Sequence, residues 1–318
     1  MIVPDRRISW FRLLFQVRGS ALPRIRGRLL AVFAVACIVT YLSNHARLLT
    51  DLTPLPFNLI GLALGVFLGF RNNASYDRYW EGRRLWGRLV NDARSFARLV
   101  LDLIDVRATP DASLDAQAIA SLRRDLVYRA IAFTHALRLH LRGPVDDLTP
   151  LRGLLPEAEL AGLTREYNVP LAIVNGMGRL VTEARFHGVL HSRDVHLLEN
   201  LLSDMVDVQG GCERIRATPI PWSYTLLIHS IVAAYCFSLP FGLVSTTKQL
   251  TPVVVLLIAY AFLGLDAVGD ELEEPFGTDD NDLPLMTISR TVEVNLRQML
   301  GEENLPELLV PDVERILR

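Results

Sequence analysis

Four stretches of this chain contain no Asp, Glu, Lys or Arg: the 16 residues 29–44, the 19 residues 52–70, the 31 residues 217–247 and the 17 residues 249–265. A helix needs roughly 20 mostly apolar residues to cross the hydrocarbon core of a bilayer, and about 17 are tolerated. Four runs near that length predict an integral membrane protein rather than a soluble domain with a large core. The first run is not the core of a cleaved leader. The 28 residues before it are too many and too rich in arginine for an n-region, and three further runs follow.

Charge is distributed as a membrane chain requires. Residues 1–100 carry fifteen arginines against five acids, whereas residues 266–318 carry fourteen acids against four arginines. A basic arm ordinarily suggests nucleic acid. Here it abuts an apolar run, and the positive-inside rule accounts for it without a nucleic-acid partner. Seven arginines precede the first run, seven more lie between Arg71 and Arg98, and the proposed outer loops hold only Arg47 and Lys248. That bias places both termini and the long middle segment in the cytosol, with four spans returning the chain to its starting side. In a cell with two membranes this means the inner one, in a multi-pass arrangement.

The middle segment is patterned as helix. In residues 121–142, SLRRDLVYRAIAFTHALRLHLR, Leu122, Leu126, Phe133 and Leu137 are set against five arginines, and Gly143-Pro144 stops the pattern. In residues 193–208, Leu197, Leu198, Leu201, Leu202, Met205 and Val208 again recur at helical spacing. No strand-like alternation or internal repeat is visible. The predicted fold is all-α, with helices continuing from the membrane into a cytosolic helical bundle. Its parts are an N-terminal arm (1–28), spans 1 and 2 (29–71), a cytosolic helical region (72–216), spans 3 and 4 (217–268) and an acidic cytosolic C-terminal segment (269–318).

Several constellations could carry chemistry. Gly61, Gly65 and Gly69 form one stripe of the second span, where small residues let another helix approach closely, within the chain or from a neighbour. Beside it runs an apolar stripe, Leu62, Val66 and Phe70, which would face lipid or line a pore that gates by dewetting. DAVGDELEEPFGTDDNDLP, residues 266–284, packs eight carboxylates around a Pro-Phe-Gly turn. Clustered oxygens suit a hard cation such as calcium, although the spacing is not that of an EF-hand. The alternative is a solvated turn or pairing with the basic arm. His187, His191 and His196 offer one i, i+4 pair but no third zinc ligand. The three cysteines form no disulfide framework or metal spacing. No nucleophile elbow, Walker loop or HExxH occurs, and no catalytic residue is predicted; the chain reads as a non-enzyme.

Three motifs taken together resemble the bestrophin family in its bacterial branch. They are FLGFRNNASYDRYWEGRRLWGRL after the second run, PIPWSYTLLIH opening the third and EEPFGTDDNDLP after the fourth. The resemblance covers nearly the whole chain and implies a homopentameric channel with one central pore. Its neck residues map onto Leu62, Val66 and Phe70, and a second, cytosolic constriction onto the helix containing Met205. The family's calcium clasp maps onto Asp279 and Asp282, with Glu271 and Glu274 standing where animal members carry amides. The function implied is passive conduction of small monovalent ions. Chloride and other anions are favoured, and a cation-selective channel of the same family is the alternative. A secondary transporter would show more spans, repeats and a mid-membrane ionisable group, for which only His229 is available. A membrane-bound metal-dependent enzyme would need a recognisable base or nucleophile. The partners implied are other copies of the chain, the lipid bilayer and the permeant ions.

Overall fold

A computed structural model describes residues 1–2, 16–17, 19–46, 53–105, 108, 112–143, 147–313 and 315–317. Among these the regular elements are all helices, and the only β pairings are the isolated bridges Ile2–Ile316 and Arg152–Leu155. The helices are α1 (Leu22–Ala46), α2 (Leu55–Leu103), α3 (Ala116–Arg142), α4 (Glu157–Leu163), α5 (Val169–Phe186), α6 (Val195–Ala217), α7 (Trp222–Thr247), α8 (Thr251–Glu273) and α9 (Leu285–Met299). They form two compact units. One, the apolar unit, comprises Pro4–Trp80 and Thr218–Pro275; the other, the helical unit, comprises Met1–Val3, Glu81–Ala217 and Phe276–Arg318.

Helix ends follow local chemistry. Asp115 caps α3 by accepting the Ala118 N–H at 2.7 Å, and Gly143, at φ 147°, ends it. Asn168 caps α5 through the Leu171 N–H, with Pro170 in the first turn where its missing N–H costs nothing. The predicted helix over 121–142 is therefore present and starts earlier than its pattern showed. One continuous α2 contains both the glycine-rich and the arginine-rich halves of its sequence, over more than twice the about 20 residues that a hydrocarbon core needs.

The apolar unit packs α1 against α7 and α8, and α7 against α8. Val32, Ala36, Leu68, Val232, Cys236, Val255 and Ala259 are fully buried at its centre. The mostly apolar stretch Trp222–Glu273 is two helices, divided by a 3₁₀ turn at Lys248–Leu250 in which Lys248 adopts φ 49°. α1, the first part of α2, and this pair are long and apolar enough to cross a membrane.

In the helical unit α3 is central, packed against α5, α6 and α9. Every residue from Leu126 to Arg138 is buried. Sequence pattern alone predicts an amphipathic helix with its arginines outward. The structure corrects this for Arg129 and Arg138, which lie inside, because neighbours cover α3 on all sides. Arg129 answers with Glu159 at 2.5 Å.

Candidate functional site

The first part of α2 has two opposite faces. Leu64 and Leu68 are buried in the apolar core. Leu62 and Val66 lie two residues earlier, about 200° around a helix that turns about 100° per residue, and so point the other way. In the isolated subunit Leu62, Val66 and Phe70 are 71%, 50% and 63% exposed. Among the described residues, no other part of the chain covers this apolar stripe.

The three glycines do not act alike. A Cβ at Gly61 would overlap the Tyr235 hydroxyl of α7, so Gly61 is an intrachain packing position. A Cβ at Gly65 or Gly69 would meet nothing within 4 Å. These two leave open, close-approach surface beside the stripe.

The orientation of α2 is fixed one residue after Phe70. Arg71 is completely buried, with its Nη1 donating to Asp266 Oδ1 at 2.7 Å and its Nη2 to Asp270. His229 on α7 completes the cluster, with Nδ1 2.7 Å from Asp266 Oδ2 and Nε2 3.5 Å from Asp270. Arg28 of α1 stands 3.8 Å from Asp266. A buried charge persists only when paired, and here four helices meet on one guanidinium and two carboxylates. Next to it, Gly269 lets Asn72 approach, and the Asn72 amide donates to the Leu265 carbonyl at 3.1 Å. Farther along α2, Arg78 donates to the carbonyls of Thr218, in the link before α7, at 2.5 Å and of Glu273, the last residue of α8, at 3.2 Å.

His229, Asp266 and Asp270 also form the only group of three described His, Cys, Asp or Glu ligand atoms within 4.8 Å of one another. Arg71 already supplies the positive charge there. Sequence reasoning singled out His229 but not Arg71, Asp266 or Asp270. The available signal was that Arg71 and Asp266, of opposite sign, terminate the second and fourth uncharged runs.

The acidic residues fall in separate places. Glu271 pairs with Arg24 at 3.3 Å, and Glu274 follows the end of α8. Asp279 and Asp282 close a turn in the helical unit. The Asp279 N–H donates to Asp282 Oδ2 at 2.7 Å, and the Asp282 N–H returns to the Asp279 carbonyl at 3.1 Å. This turn borders a cavity of about 360 Å³ that Arg142 also lines. Burial pushes the Arg142 guanidinium pKa down, against the opposing pull of Asp282.

One predicted site residue is corrected. Met205 is fully buried inside its own subunit, in the face of α6 that carries Leu198, Leu202 and Val208, so it lines no surface of the subunit and cannot form a constriction. The histidine pair gains no ligand set either: His187 Nδ1 lies 2.9 Å from the Ser113 hydroxyl, and neither His191 nor His196 joins a group of three ligands among the described residues.

Among the described residues, helices long and apolar enough to cross a membrane, with an exposed apolar stripe on the longest of them, define an all-helical class of membrane protein. The family follows from comparison. The model of the Bacterial/Fungal Bestrophin protein family matches residues 1–298. A "Voltage-dependent anion channel-forming protein" of Ralstonia nicotianae is 42% identical over 302 residues, 94% of each chain. One of Escherichia coli is 38% identical over 313 residues, 98% of each. The crystal structure of a bacterial bestrophin homolog from Klebsiella pneumoniae superposes with a TM-score of 0.80 at 35% identity, covering 88% of this chain and all of that one. The chain belongs to the bacterial bestrophin family.

Proposed function

We propose that this chain forms an anion-conducting channel of the bestrophin type: a homopentamer in the bacterial inner membrane, with four spans per subunit and both termini cytosolic. One observation carries the reading. Leu62, Val66 and Phe70 are apolar and exposed on a helix whose opposite face is anchored in the apolar core and, at Arg71, by a buried ion-pair cluster. The names borne by the relatives from Ralstonia nicotianae and Escherichia coli support anion conduction.

In this mechanism five α2 stripes surround the axis as a neck, and Gly65 and Gly69 admit the neighbouring subunit's helix. An apolar neck offers an ion no compensation for lost water, so ions pass while partly hydrated and the neck closes by dewetting. It carries no charge of its own, and selectivity is set by charged groups elsewhere on the path. The Arg71 cluster touches no ion; it holds the stripe in register.

Calcium enters no step. The acidic residues fit it poorly as a set, because Glu271 is paired with Arg24, and Asp282 accepts a backbone N–H close to Arg142. Chelation is therefore expected to leave the current unchanged.

The test is modification by a charged thiol reagent during chloride flux from proteoliposomes. Val66→Cys should lose most of its flux on treatment, and Leu64→Cys, on the buried face, should not. Equal sensitivity at the two positions, or none at Val66→Cys in a conducting protein, would remove the stripe from the pore.

A further inference from the structure

The helical unit holds a half-open cavity of about 500 Å³ between α3, the segment around Arg152 and α9. Four guanidiniums line it: Arg138 from α3, Arg152, and Arg290 and Arg297 from α9. A single carboxylate, Glu293, opposes them in the lining. Glu293 is heavily shared, with His135 Nε2 at 3.3 Å, Arg290 Nε at 3.4 Å and Arg297 Nη1 at 3.3 Å. Arg297 also reaches Glu302 at 2.7 Å, from outside the lining. Neither Arg138 nor Arg152 makes an ion pair among the described residues; Arg152 is exposed and feels the charge of Asp147, whereas Arg138 is buried with no carboxylate beside it.

Arg138 is the telling one. It is only 7% exposed, and its Nε is buried without a hydrogen-bond partner. Burial pushes its guanidinium pKa down, and Arg142 and Arg290 push in the same direction. Burying an uncompensated charge is among the costliest arrangements a fold can contain. Arginine's planar fork of donors matches carboxylate and phosphate oxygens, and such charge-assisted bonds are the strong ones. The cavity lies within the roughly 300–1,000 Å³ of small-molecule sites, larger than one phosphate requires.

We propose that this cavity binds a divalent oxyanion of the phosphate class, inorganic phosphate or a phosphate monoester, with Arg138 and Arg152 as its principal charge partners and Arg290 completing the cradle. The site lies wholly within the helical unit and stands independently of the channel reading.

The test uses the purified full-length protein in detergent, with calorimetric titration and thermal denaturation. Sodium phosphate, glucose 6-phosphate and sodium chloride are compared at matched ionic strength. Phosphate should raise Tm with the logarithm of its concentration, as for any ligand that binds the native state alone, and chloride should not. Tighter binding of the monoester would identify the organic phosphate as the source; equal or weaker binding would identify the free ion. Arg138→Gln and Arg152→Gln should each weaken binding about tenfold or more, the loss of one charge-assisted hydrogen bond. Arg152 is exposed, so its variant remains informative if Arg138→Gln fails to fold. No phosphate-dependent shift at millimolar concentration, or a shift that survives both substitutions, overturns the proposal. So does a pair of variants that dissociate the oligomer while leaving phosphate binding intact, because the arginines would then be meeting a carboxylate of a second copy.

Discussion

Two buried arginines, one in each unit, meet opposite fates. Arg71 is enclosed by apolar helices and finds Asp266, Asp270 and, through them, His229. Arg138 is nearly as buried but finds no carboxylate or carbonyl among the described residues, only a cavity and other arginines. Both must be desolvated to fold, and only the first is compensated inside the subunit. Arg71 is thus a fixed part of the framework that aims α2, whereas Arg138 is a buried charge that no described residue of the chain neutralises. The same residue type is structural in one unit and receptive in the other, and pairing rather than burial tells them apart.

The largest expected effect lies on the paired side. Arg71→Ala leaves Asp266 buried and deprived of its main partner, and should lower stability by about 3–5 kcal/mol, read by thermal denaturation in detergent. Asp266→Ala in the same chain should recover part of that loss. Arg138→Met, which keeps the apolar stem and removes the charge, should have the opposite sign in phosphate-free buffer, a gain of about 1 kcal/mol. Equal losses from both substitutions would erase the distinction.

Within α2 a smaller contrast holds. Gly61→Leu collides with Tyr235 and should destabilise the subunit by about 1–3 kcal/mol. Gly65→Leu meets nothing in the subunit and should change its stability by no more than about 0.5 kcal/mol while disrupting the oligomer, read by native mass spectrometry.

The smallest effect concerns acid. Burial by itself would raise the pKa of Glu293, but hydrogen bonds and charge from His135, Arg290 and Arg297 outweigh it and hold the carboxyl below its ordinary value of 4.5. Its contribution is complete above that value and is lost as pH falls through the lower, folded-state pKa. Glu293→Gln should therefore be less stable at neutral pH and less sensitive to acid below pH 4.5. A variant whose acid denaturation parallels the parent's would remove Glu293 from this role.

Much of the fold was legible in the sequence because its signals are local. Helix α3 ends where Gly143 predicts, and the opening glycines and following arginines share one helix because no proline or cap divides them. The stripe 62/66/70 was visible as spacing. Its exposure was not, because exposure depends on which face of α2 the core takes. The break at Lys248 inside an apolar stretch was marked by the only lysine of the chain. The choice of Met205 rests on a family resemblance that points to a helix without saying which of its faces is open, and Met205 lies on the buried one. The Arg71 cluster and the arginine cavity join residues more than 150 positions apart, and no window of sequence contains them.

The central claim is that the α2 stripe forms the neck of an anion-conducting pore. Single-channel recording in a planar bilayer under a KCl gradient tests it most directly, comparing the parent with Val66→Ala. The account predicts unitary currents reversing toward the chloride equilibrium potential, with conductance or open probability raised in the variant. Reversal toward the potassium potential would contradict the selectivity. Currents unchanged by Val66→Ala would contradict the neck itself.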